Sequence, residues 1–147
     1  MKKLFLSVSV CLLAGFIGSV ATFPSIPTWY AGLIKPPFNP PNWIFGPVWT
    51  TLYVLMGIAM YLVWRKKKSL KLFLIHLGVN AGWSIIFFGL HSVLGGLVTI
   101  IILWGCIYTL IREFYRIDRR ASYLLYPYLA WVSFASLLNV ALLILNP

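Results

Sequence analysis

Acidic side chains are almost missing from this sequence. Among 147 residues there are two, Glu113 and Asp118, against twelve Lys and Arg. Charged residues of every kind make up 10% of the chain, where a soluble domain carries roughly 25%. No carboxylate falls within an apolar stretch. A proton-coupled exporter built on intramembrane carboxylates is therefore disfavoured, and so is a hydrolase that needs an acid pair. Cysteine is scarce as well. Cys11 and Cys106 each lie in an apolar run, with no CxxC pair and no zinc spacing. There is no phosphate-binding loop and no catalytic serine motif. No metal and no cofactor are expected. His76 and His91 are the two histidines. Either could in principle be an axial haem ligand, but their opposite placement argues against a shared metal site.

Apolar residues dominate instead, at 61% of the chain. That much apolar surface cannot be hidden in a soluble fold of this size, so the solvent is lipid. Five stretches approach the ~20 residues needed to cross a bilayer: 4–23, 44–64, 72–90, 93–111 and 123–145. The third and fourth form one uncharged run from Lys71 to Arg112. It is too long for one crossing at ~1.5 Å per residue, and a turn is expected near Gly89-Leu90-His91-Ser92. These spans predict an all-α integral membrane protein, a five-helix bundle in one domain, 1–147. The first stretch has a competing reading. Met1-Lys2-Lys3, an apolar run and Ser19-Val20-Ala21 resemble a signal peptide. Against it, the run is long, and Ala14/Gly18 and Gly15/Ser19 have the small-residue spacing of packed membrane helices.

The basic residues test this topology. Lys2, Lys3, the 65–71 cluster and Arg112, Arg116, Arg119 and Arg120 fall on one side, and only Lys35 on the other. The positive-inside rule places the N-terminus in the cytoplasm and the C-terminus outside. This clustering is a topology signal rather than a nucleic-acid footprint, so no nucleic acid is expected as partner; anionic lipid headgroups are.

One connection, 24–43, is long and rich in Pro and aromatics. Prolines stiffen it, and it is expected to act as a lid over the bundle. The aromatics number seven Trp, eight Tyr and ten Phe, more than interfacial belts account for. Phe45, Trp49 and Tyr53 share a face of the second helix; Asn80, Trp83 and Phe87 share one of the third; Trp131, Ala135, Leu138 and Leu142 share one of the fifth. Each face is open to two readings, ordinary helix packing or the wall of an aromatic cavity for a flat hydrophobic ligand. Asn80 and Asn139 need partners in a bilayer, across helices or from a ligand. Gly78-x3-Gly82 is a close-packing motif, inside the bundle or at a homodimer seam.

Three segments carry a resemblance. They are Trp29-Tyr30-x2-Leu33-x-Lys35-Pro36-x-Phe38-x-Pro40-Pro41-x-Trp43-x-Phe45-x-Pro47-Val48-Trp49-x2-Leu52-Tyr53, Asn80-x2-Trp83-x3-Phe87-Phe88-Gly89, and Leu124 to Asn139 with Trp131 and Ala135. They resemble the tryptophan-rich sensory protein family, whose animal members are called translocator protein or peripheral-type benzodiazepine receptor. The resemblance implies a five-helix bundle, commonly a homodimer, that binds porphyrins such as protoporphyrin IX and benzodiazepine-type ligands. It implies a pocket that opens toward the first loop and a link to tetrapyrrole metabolism and stress. Carried over by residue, the pocket comprises Trp49, Asn80, Trp83, Trp131, Ala135 and Leu138, with Tyr30 and Pro41 from the lid. Some members are described as degrading protoporphyrin with light and oxygen, which would give Trp49 and Trp131 a catalytic role. Three functions thus stand side by side: a receptor or sensor, a photo-oxidative enzyme, and a porphyrin or lipid transporter. The sequence departs from the family at Phe38, where Trp is usual. It also lacks the cholesterol-recognition pattern after Asn139. The missing cholesterol element, the short tail and the N-terminal Met-Lys-Lys imply a bacterial plasma-membrane protein.

Overall fold

The computed structural model describes residues 1–147. It is all-helical, and five of its helical segments are long and apolar enough to cross a bilayer. α1 (Lys2–Ser25) leads through residues 26–41 to α2 (Asn42–Trp64). α3 (Lys71–Ser84) continues as a π-helical turn over Ile85–Gly89. α4 (Val93–Ile117) follows, and α5 (Arg119–Leu124) and α6 (Tyr126–Leu145) together make the fifth span. α1 packs between α2 and α3, α4 between α3 and α6, and α5 closes the ring against α2.

Helix ends depart from the sequence expectation at three places. α1 runs through Pro24 to Ser25, because the missing N–H of a proline is a modest loss near a helix end whose carbonyls are met by Ile26 and by Thr28 Oγ1. The fourth helix does not stop at 111. Arg, Glu and Tyr are compatible with helix, and Ile111 and Phe114 remain buried against the bundle, so it continues to Ile117. The basic connection is thereby reduced to Asp118, which caps α5 by accepting from the Arg120 N–H at 3.0 Å. The fifth span breaks at Leu125, where Pro127 has no N–H to continue the ladder. The expected turn at Gly89–Ser92 is present, with His91 in the left-handed region at φ 55°.

α1 is an integral wall. Near its N-terminus Gly57 of α2 lies against Val8, and a Cβ on Gly57 would fall 2.5 Å from the Val8 Cα. Two turns further along α1, Gly15 lies against the Tyr53 ring. Beyond that the contacts of α1 change partner. Gly18 lies against Ser84, Gly89 faces Ala21, and Ser25 Oγ donates to the Phe88 carbonyl at 2.6 Å. α1 thus leans from α2 onto α3 along its length. A Cβ on Gly78 or Gly82 of α3 would meet nothing within 4 Å.

Candidate functional site

α2, α3 and α6 are tied together by a buried chain of polar groups. Tyr53 donates to Asn80 Oδ1 at 2.5 Å. Asn80 Nδ2 donates to the Tyr128 oxygen at 2.6 Å, and Tyr128 Oη and His76 Nε2 are 2.9 Å apart. His76 Nδ1 lies 2.8 Å from the Phe73 carbonyl. A carbonyl only accepts, so Nδ1 carries the proton and Nε2 accepts from the Tyr128 phenol. Every bond in the chain then has one direction. Both ring nitrogens of His76 are engaged, which removes it as an axial haem ligand. No three His, Cys, Asp or Glu side chains cluster as a metal site would require.

Above this chain, toward the loop, lies a cavity of about 350 Å³. α2 lines it with Phe45, Trp49 and Tyr53; α3 and its π turn with Trp83, Ser84, Phe87 and Phe88; α6 with Trp131, Ala135, Leu138, Asn139 and Leu142. α1 supplies Leu12, Gly15, Phe16, Ser19, Thr22 and Phe23. The three faces read from the sequence therefore converge, apart from Asn80. Trp83 stacks on Phe87 at 5.2 Å, and Phe45 meets Trp131 edge-on at 6.1 Å. The π turn places two consecutive aromatics, Phe87 and Phe88, in the interior. No lining residue carries a formal charge.

Of the eight expected pocket residues, Tyr30, Trp49, Trp83, Trp131, Ala135 and Leu138 line the cavity. Asn80 does not. Its side chain is consumed by Tyr53 and Tyr128, one layer below the floor. Pro41 also lies outside the lining, as the residue that precedes α2. Among the polar residues that do line the cavity is Asn139, which accepts from Trp83 Nε1 at 3.3 Å and donates to the Val93 carbonyl at 3.0 Å. The helical spacing of Asn139 from Trp131, Ala135 and Leu142 could have assigned it to that wall. The contribution of α1 has no comparable signal, since its apolar residues surround the helix. Phe38, where the resembled family has Trp, is half exposed and packs edge-on against Phe134, outside the cavity.

The loop forms a roof. Tyr30 is buried beneath it, and its phenol bonds Asn39 at 3.0 Å. Burial raises the Tyr30 phenol above its ordinary pKa, with the Asn39 bond opposing. Trp29 stacks on His91 at 4.8 Å. Ile34 is held from both sides by one side chain: its N–H donates to Asn146 Oδ1, and its carbonyl accepts from Asn146 Nδ2, each at 2.9 Å. The exposed lining residues are Leu12, Phe16 and Phe23 of α1 and Asn42, Gly46 and Thr50 of α2.

Comparison with known proteins bears on this arrangement. The model of the TspO/MBR family matches residues 7–145, which include α1 from Ser7 onward and every wall of the cavity. The chain is 47% identical to the tryptophan-rich protein TspO of Archaeoglobus fulgidus, over 98% of its own length and 97% of the relative's. It is 46% identical to the protein of the same name from Chlorobaculum tepidum, over 98% and 96%. With the human translocator protein it shares 39% identity over 84% and 78%.

Proposed function

Because this chain belongs to the TspO/MBR family and is thus a multi-pass membrane protein, we propose that its cavity is a receptor site for flat, largely apolar molecules of the porphyrin kind, protoporphyrin IX among them. The carrying observation is the convergence of Trp49, Trp83, Phe87 and Trp131 on one uncharged cavity. Its volume falls in the ligand-pocket range of roughly 300–1,000 Å³. Aromatic walls bind a planar ligand by burial and by offset or edge-on stacking. Benzodiazepine-type ligands suit the same walls. Asn139 offers the polar contact that orients them. No cation inside the cavity can neutralise a carboxylate, so the acid groups of a porphyrin stay at the mouth.

The basic end is assigned to the cytoplasm, with the N-terminus inside and the C-terminus outside a bacterial plasma membrane. The uncovered Gly78 and Gly82 support a homodimer through α3. A second reading, light-dependent degradation of bound porphyrin, is favoured by one arrangement. Trp49 lies 5.7 Å from the Tyr53 ring and 6.3 Å from that of Tyr128, so oxidisable rings lead away from the cavity.

Titration with protoporphyrin IX in darkness and then in light tests both readings. Saturable quenching of Trp fluorescence in the dark, with the porphyrin spectrum intact, is the receptor's result. A distinct product formed only in light, and lost in Trp49→Phe or Trp131→Phe, is the enzyme's. Absence of saturable binding contradicts both.

A further inference from the structure

The roof of the cavity is fastened and its side is not. Three fastenings hold the loop: the paired hydrogen bonds between Ile34 and Asn146, the stack of Trp29 on His91, and the burial of Tyr30. Each joins the loop to a different part of the bundle. A ligand arriving from water along the bundle axis would have to undo them.

The side wall is different. α1 touches α2 closely at Val8 and Gly57, then leans onto α3 at Gly18, Ala21 and Ser25. Two helices in contact at one end and diverging at the other leave a wedge between them. The wedge opens in the half of the bundle remote from the basic residues. Where a Cβ on Gly57 would collide with backbone, one on Gly46 would meet nothing within 4 Å. The exposed lining residues sit on the two edges of this wedge, with Phe16 at 65% and Phe23 at 64% exposure. From Leu12 to Phe23 the edge rises roughly 16 Å at 1.5 Å per residue, about half the hydrocarbon thickness.

The chemistry of the edges matches lipid rather than water. Ser19 Oγ donates to the Phe16 carbonyl, Thr22 Oγ1 to the Gly18 carbonyl and Thr50 Oγ1 to the Gly46 carbonyl. Each hydroxyl is satisfied on its own helix, and the cleft is left with methyl groups, phenyl rings and a glycine, with the Asn42 amide at its loop end. Below Asn42, a planar apolar molecule dissolved among acyl chains meets no unpaired hydroxyl.

We propose that the cleft between α1 and the loop-side half of α2 is the entrance to the cavity, and that it admits membrane-dissolved planar ligands sideways from the bilayer while the loop stays fastened. The proposal rests on the receptor reading above and adds the route and the phase from which the ligand comes.

The test is kinetic. Protein in lipid nanodiscs is mixed with donor vesicles carrying protoporphyrin IX, and Trp quenching is followed in the dark. In Gly46→Leu and Thr50→Phe, bulk enters open space at the cleft. Both are expected to slow association at least ten-fold, with dissociation slowed as well. Asn146→Ala, which releases one of the three fastenings of the loop and lies outside the cavity, is expected to leave both rates within two-fold. The proposal is overturned if Asn146→Ala speeds both rates ten-fold, if the cleft variants leave them unchanged, or if those variants alter dissociation alone. Asn146→Ala decides by itself should the cleft variants not fold. Failure of the wild type to bind at all defeats the receptor reading, whereas binding with unaltered rates in the cleft variants defeats only the entrance.

Discussion

Tyr128 passes its phenol proton toward His76 and takes one from Asn80, so its oxygen closes a polar chain inside apolar surroundings. Tyr128→Phe removes both bonds at once and leaves an imidazole nitrogen and an amide N–H unpaired. A buried unsatisfied group costs about 1–3 kcal/mol, and the thermal unfolding temperature in detergent should fall accordingly. Ligand affinity should change less than in Trp83→Ala, because Tyr128 lies outside the cavity lining. The other residue of this kind is Asp118. It sits 3.0 Å from Arg120, 3.6 Å from Lys66 and 3.9 Å from Arg65. The Arg120 hydrogen bond first, then its own N–H and the nearby positive charges, hold the Asp118 carboxyl near 2, against the smaller opposing effect of burial. A depressed carboxylate stabilises the folded state above its ordinary pKa of about 4 and loses that contribution as pH falls toward about 2. Unfolding temperature followed from pH 5 to pH 2 should therefore drop in the wild type. Asp118→Asn should start lower and show a shallower fall.

Helix packing turns on a few small residues. Gly57 lets the backbones of α1 and α2 approach closely at Val8, and a branched residue there forces them apart. Gly57→Val is expected to cost about 1–3 kcal/mol by overpacking. Gly46→Ala, four residues into the same helix, should be near neutral, because its Cβ enters open space. Chemical unfolding in mixed micelles separates the two. These elements also show what the sequence made legible. Hydropathy and basic clusters located all five spans, since lipid demands continuous apolar helix and the lengths follow from bilayer thickness. Periodicity found the walls on α2, α3 and α6, because large aromatics repeat there at helical spacing. It misjudged Asn80. Spacing puts Asn80 on the face of Trp83, but cannot tell that Tyr53 and Tyr128 would claim its amide from other helices. The lean of α1, which makes its outer half a cavity wall, arises from pairwise fits such as Gly57 with Val8. No one-dimensional pattern records such fits.

At the scale of the molecule, the ring of helices has a closed, basic end knit by polar bonds and a loop-side end hollowed into an aromatic chamber. On the proposed topology the basic end faces the cytoplasm. Single cysteines at Ser69 and at Asn146, in a background without Cys11 and Cys106, are expected to be labelled by an impermeant reagent from opposite faces of the membrane. The central claim is that the chamber holds the ligand. Ala135 lies on its α6 wall between Trp131 and Leu138, and Ala135→Leu pushes a larger side chain into the space without removing any hydrogen bond. The most direct measurement is the dark equilibrium affinity of this variant for protoporphyrin IX beside that of the wild type, both in nanodiscs. A loss of ten-fold or more with the unfolding temperature preserved is the expected result; an affinity equal to the wild type's would place the ligand elsewhere and contradict the account.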